Sequence, residues 1–108
     1  MSLSNKFFLI GNLTRDPSSR IVGNDNKTVV TLDIAVNEKI NGKEETTFFR
    51  VTAWGDIGAN AHQYLSTGST IAVEGYMKNN PRDLGDGKKS FEFNFIAEEI
   101  KYLSPKKS

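Results

Sequence analysis

The chain of 108 residues contains no cysteine and one histidine. Without cysteine there are no disulfides and no thiolate metal sites, which excludes a disulfide-stapled secreted scaffold. With His62 alone, a histidine zinc site or a nucleophile–base pair has almost nothing to be built from, and no enzyme reading is supported. No apolar run approaches the ~20 residues of a membrane helix. The N-terminus lacks a basic-then-apolar leader pattern. Cytoplasmic residence is therefore the default expectation, with no membrane contact and no cofactor. A surplus of one charge is also missing: 14 Lys and Arg face 13 Asp and Glu, for a formal net charge of +1. This rules out a generally basic nucleic-acid binder and leaves such contacts to a few placed cations plus stacking. Two apparent motifs fail on spacing. Gly85-Asp86-Gly87-Lys88-Lys89-Ser90 is not a phosphate loop, and Asp83, Asp86 and Glu92 do not match a calcium loop.

What is present is ordinary globular material, with 37% hydrophobic and 25% charged residues. The length suits one domain, expected over residues 1–104, with 105–108 a disordered end. Asn5–Leu13 reads as a strand apolar on both faces, and Gly11 within it suggests a bulge or a close backbone approach. Thr14–Ser19 is a loop restricted by Pro17, and a short strand over Arg20–Val22 follows. Gly23–Lys27 is turn chemistry. Thr28–Glu38 alternates, with Val30, Leu32, Ile34 and Val36 inward and Val29, Thr31, Asp33, Ala35 and Asn37 outward. Asn41-Gly42 then signals a hairpin into Thr46–Trp54.

After Gly55 the period changes. Ile57, Ala61, Tyr64 and Leu65 share one face of a short helix, with Asp56 as N-cap and Gly68 as C-cap. Ser69–Met77 is the next strand, with Ile71, Val73 and Met77 inward. Lys78–Lys89 is a long polar loop. Ser90–Leu103 closes the chain: Phe91, Phe93 and Phe95 alternate, a bulge falls at Glu98-Glu99, and Ala97, Ile100 and Leu103 continue the apolar set. Five main strands with a helix between the third and fourth give the all-β order of an OB-fold, a five-stranded Greek-key barrel.

The third main strand holds the clearest functional signal. Phe49, Val51 and Ala53 take one face, while Phe48, Arg50, Thr52 and Trp54 take the other. Two flat aromatics flanking a cation suit a surface that stacks bases and holds phosphate. Packing against a subunit neighbour or a loop is the alternative for the aromatics, and an ion pair with a carboxylate such as Glu45 or Asp33 is the alternative for Arg50. Lys78, Arg82, Lys88 and Lys89 make the loop before the last strand locally basic, a candidate nucleic-acid contact that Asp83 and Asp86 dilute. Tyr76 points outward, toward either a groove or an oligomer interface. Phe91, Phe93 and Phe95 are assigned to core and interface rather than to binding, and His62 to the solvent-facing side of the helix.

In order along the chain, Asn5…Leu9-Ile10-Gly11-Asn12-Leu13-Thr14-Arg15-Asp16-Pro17 and Leu32-Asp33-Ile34-Ala35-Val36-Asn37 resemble the bacterial single-stranded DNA-binding protein family. So do Thr47–Gly55, Tyr64-Leu65…Gly68-Ser69…Val73-Glu74-Gly75 and Ala97-Glu98-Glu99-Ile100…Leu103. The resemblance spans nearly the whole chain. It implies an OB-fold that binds single-stranded DNA with little sequence preference, protecting it during replication, recombination and repair. It implies a homotetramer, with a dimer left open, and a nucleoid-associated place in the cytoplasm. By position, Phe48 and Trp54 match stacking aromatics, Arg50 matches a basic residue on their face, and Arg15 and Arg20 flank the first strand.

Two family tryptophans are absent: their places fall near Ile40 and Arg82. The acidic tip that recruits replication or repair proteins is not in the sequence given, which stops at Lys106-Lys107-Ser108, either by truncation or as a short natural form. These departures imply weaker binding or a different strand path, with more of the stacking resting on Trp54. They also give weight to an alternative, an OB-fold primosome-type or interaction subunit with weak DNA affinity.

Overall fold

The computed structural model describes residues 4–79, 83–85, 87–89 and 92–104, and of residues 83, 84, 88 and 89 the backbone alone. The strands are β1 (Phe7–Leu13), β2 (Ser18–Val22), β3 (Lys27–Ile40), β4 (Lys43–Trp54), β5 (Thr70–Asn79), β6 (Asp83–Gly85), β7 (Lys88–Lys89) and β8 (Phe93–Tyr102). One helix, α1 (Gly55–Tyr64), stands between β4 and β5. The main sheet runs β1-β5-β8-β4-β3-β2, and β1 also pairs with β3. That extra pairing closes β1, β5, β8, β4 and β3 into a five-stranded barrel, the expected OB architecture, with β2 an outer edge on β3. β6 and β7 form a separate small hairpin within the polar loop.

The Asn41-Gly42 hairpin is as its sequence demands. Both residues take positive φ, 52° and 80°, which matches the twist of the flanking strands in a two-residue turn. Pairing therefore starts at once, with Ile40 opposite Lys43, and runs without a break to Val29 opposite Trp54. Both strands consequently extend past their expected ends.

The closing seam between β1 and β3 is two pairs long, Asn12 with Ala35 and Leu13 with Ile34. Here Gly11 fulfils the expected close approach, because a Cβ would collide with the Ala35 carbonyl oxygen. Leu32, Ile34, Val51, Ile71 and Val73 are fully buried inside the barrel, each contributing about 1.5–3 kcal/mol by leaving water. Ala61 and Leu65 bring α1 into the same core, with Ile57 packed beside them. Phe95 lies edge-on to both Phe7 and Phe49, at centroid distances of 5.3 and 5.6 Å, the favoured aromatic geometry.

Several expectations need correction. Trp54 occupies the N-cap of α1 with no side-chain cap bond, and Asp56 lies inside the first turn, where its charge still suits the helix dipole. Leu65, not Gly68, is the C-cap; the Gly68 amide instead donates to the Leu13 carbonyl. Val29 has outward parity yet is buried. It lies between Arg20 on β2 and Trp54 on β4, whose large side chains flank it at cross-strand distance. Met77 has inward parity yet is exposed, because the last β1–β5 pair is Phe7 with Gly75 and beyond it, among the described residues, β5 pairs with β8 alone. There the Asn5 side-chain amide donates to the Met77 carbonyl and its oxygen accepts from the Met77 amide, at 2.7 and 3.0 Å.

The bulge in β8 falls where the sequence placed it. Glu99 pairs with Glu74 and Ala97 with Gly75, leaving Glu98 as the extra residue. Alternation then restarts so that Ile100 and Tyr102 pack on the core, which turns Leu103 outward against expectation. The expected helix residue His62 is exposed. Pro81, Arg82, Ser90, Phe91 and the 105–108 end lie outside the described residues.

Candidate nucleic-acid interface

Strand register assembles the site. The outward residues of β4 each face a β3 partner: Phe48 faces Ala35, Arg50 faces Asp33, Thr52 faces Thr31 and Trp54 faces Val29. β2 extends these rows, with Ser18 beside Thr31 and Arg20 beside Val29. On the other flank, Thr52 pairs with Ile96 of β8, and Ile96 with Tyr76 of β5. One sheet face thus runs from β2 to β5.

The loop between β1 and β2 is clamped over this face. The Asp16 carboxylate accepts the backbone amide and hydroxyl of Thr67 at 2.8 and 2.9 Å. The Thr14 amide donates to the Asp33 carbonyl at 2.9 Å, and Pro17 is buried. Arg15, held between these anchors, is delivered to the groove.

That groove has a volume of about 770 Å³ and brings together Arg15, Arg20, Phe48, Arg50 and Phe93, with Ser18, Thr31, Asp33 and Thr52 on its floor. Phe48 is 71% and Phe93 54% exposed. Aromatic rings left so open in water cost apolar hydration with no packing in return, the state expected of a stacking platform without its ligand. Among the described residues, three guanidinium groups line the groove against the one carboxylate of Asp33.

The carboxylate is partnered. Arg50 Nε donates to Asp33 Oδ1 at 2.8 Å and Nη2 to Oδ2 at 3.4 Å. Arg15 Nη1 lies 3.6 Å from Oδ2. These contacts, the Arg50 hydrogen bond foremost, hold the Asp33 carboxyl below its ordinary value of 3.8, against burial, which pushes the other way. The same hydrogen bond raises Arg50. Of the two ion-pair partners that the sequence allowed for Arg50, Asp33 is the one engaged.

Trp54, Tyr76 and Lys78, also singled out by sequence, are not among the residues lining this groove. Trp54, 42% exposed, shares the face of Phe48 and Arg50, at the far end of β4. Tyr76 is half-buried on β5 and Lys78 is exposed farther along the same strand. Arg82 lies outside the described residues, and for Lys88 only the backbone in β7 is described.

Sequence reasoning missed Phe93 as a groove residue. It shares parity with Phe95, which packs on the core, so alternation assigned both inward. Among the described residues β8 meets β4 through two pairs, Val51 with Phe95 and Thr52 with Ile96. Phe93 precedes that contact and projects past the barrel wall. The strand simply outruns the barrel, and alternation alone carries no signal of that.

Residues 4–103 match the model of the single-strand binding protein family. Single-stranded DNA-binding protein 1 of Clostridium acetobutylicum is 30% identical over 106 residues, covering 95% of this chain and 96% of that protein. The single-stranded DNA-binding protein of Clostridium tetani is 30% identical, covering 92% of this chain and 70% of its own length. Single-stranded DNA-binding protein 2 of Listeria monocytogenes is 31% identical, with coverages of 96% and 66%.

Proposed function

Because the chain belongs to the single-strand binding protein family and binds single-stranded DNA, we propose that the strand runs along the β2–β3–β4–β8 face through the groove described above. Bases stack on Phe48 and Phe93, and farther along the same face on Trp54. Arg15, Arg20 and Arg50 meet the phosphates. Every base has a π-face, so such binding is tolerant of sequence. We place its work where single strands are exposed, in replication, recombination and repair in the cytoplasm, as a binding protein rather than an enzyme.

The observation that carries this path is the pairing of exposed Phe48 with exposed Phe93 in one arginine-lined groove. Titration of a labelled oligo(dT) tests it, with a duplex of equal length as the comparison. Salt-sensitive binding of the single strand, with little binding of the duplex, is expected. Equal affinity for both contradicts stacking of unpaired bases.

We also infer that the chain acts as a homo-oligomer, a tetramer before a dimer. Phe8 and Ile10 support this, standing 60% and 50% exposed on the outward face of β1, away from the groove. Open apolar surface of this kind is usually covered by a partner. Light scattering decides the number of copies.

A further inference from the structure

Asp33 puts a negative charge on the floor of a groove that receives a polyanion. Its side chain is only 17% accessible and sits mid-strand on β3, with its backbone carbonyl held by Thr14. The carboxylate therefore has little open space to move into. Arg50 is the opposite case: its side chain is 69% accessible, with open solvent to turn into once its bonds to Asp33 are given up. Arg50 presents Nε and Nη2 to the two Asp33 oxygens, the side-on fork that also takes two oxygens of a phosphate.

We propose that Asp33 is a positioning residue that occupies the guanidinium fork of Arg50 in the DNA-free groove, as a phosphate would, and surrenders Arg50 to the DNA backbone on binding. This rests on the groove being the path of the single strand. Arg15 makes the exchange feasible. With Nη1 3.6 Å from Oδ2, it remains to balance Asp33 when Arg50 leaves, so no carboxylate is stranded without a cation. The pair keeps Arg50 ordered and aimed into the groove, and it subtracts from affinity, because each binding event exchanges one charge-assisted contact for another.

The test follows Arg50 itself. In the free protein its Nε–H resonance should be shifted by Asp33, and Asp33→Asn should abolish that shift. Adding oligo(dT) should move the wild-type resonance, and the bound positions in wild type and Asp33→Asn should coincide. Asp33→Asn and Asp33→Thr, the latter suited to a strand, should each tighten oligo(dT) binding roughly tenfold, about one charge-assisted contact. Glu38→Gln on the exposed β3–β4 arm makes the same charge change outside the groove and should alter affinity by less than about twofold. An Arg50 resonance unmoved by DNA overturns the proposal. So do Asp33 variants that bind no tighter, or equal tightening by Glu38→Gln. If Phe48→Ala still weakens binding in that event, the groove stands and only the role of Asp33 falls.

Discussion

Asp33 and Arg50 face each other across the β3–β4 ladder, and Arg50 Nε donates to Asp33 Oδ1 at 2.8 Å in the middle of the groove. The register that aligns the barrel core thus also places an ion pair on the binding face. The shift of one residue in either strand would send Arg50 into the core and Phe49 to the surface. Fold and site are therefore specified by the same pairing.

Phe48→Ala and Phe93→Ala should each weaken oligo(dT) binding by about 1–3 kcal/mol, the scale of one base stack. Both rings are exposed, so thermal stability should hardly change. Equilibrium titration beside a melting curve separates the two effects. A loss of stability without a loss of affinity would assign these rings to structure.

Arg20→Ala should weaken binding evenly across sequences and lower the magnitude of the salt slope by about 0.7, one phosphate contact on a single strand. Affinities measured over a salt series supply the slope. An unchanged slope would remove Arg20 from the strand's path.

Gly75→Ala should destabilise the barrel by about 1–3 kcal/mol or more. The new Cβ would collide with the carbonyl oxygen of Ile96, at the register shift between Glu74 and Gly75. Backbone cannot yield there without breaking the β5–β8 ladder. The midpoint of denaturant unfolding reads the effect.

Acid should weaken the fold in a window set by Asp33 and Glu74. Arg50 lowers Asp33 from 3.8, and Lys6 lowers Glu74 from 4.5. A lowered carboxyl contributes stability above its unfolded pKa and loses it as pH falls through the folded value. The melting temperature should be flat in these two groups above about pH 5 and fall progressively below about pH 4. Asp33→Asn should blunt the fall, leaving the part due to Glu74.

Much of this was legible in the sequence, for identifiable reasons. The Asn41-Gly42 turn fixes the β3–β4 register, and that register sends Phe48, Arg50 and Trp54 to one face. Gly11 and the Glu98 bulge were marked by local chemistry. Phe93, Met77 and Leu103 were not legible, because alternation gives parity along a strand and not where its neighbours stop. Val29 was lost for the converse reason, its cover coming from side chains on two other strands. The Asp33–Arg50 pair was one of two possibilities, and only the register chose between them.

The most direct test of the path is photocrosslinking of an oligonucleotide carrying 5-iododeoxyuridine, followed by peptide mass spectrometry. The photoproduct joins the base to a ring it stacks on. Adducts at Phe48 and Phe93 are expected, with Trp54 next along the face. Adducts confined to other residues, with none at Phe48 or Phe93, would contradict the groove as the site of binding.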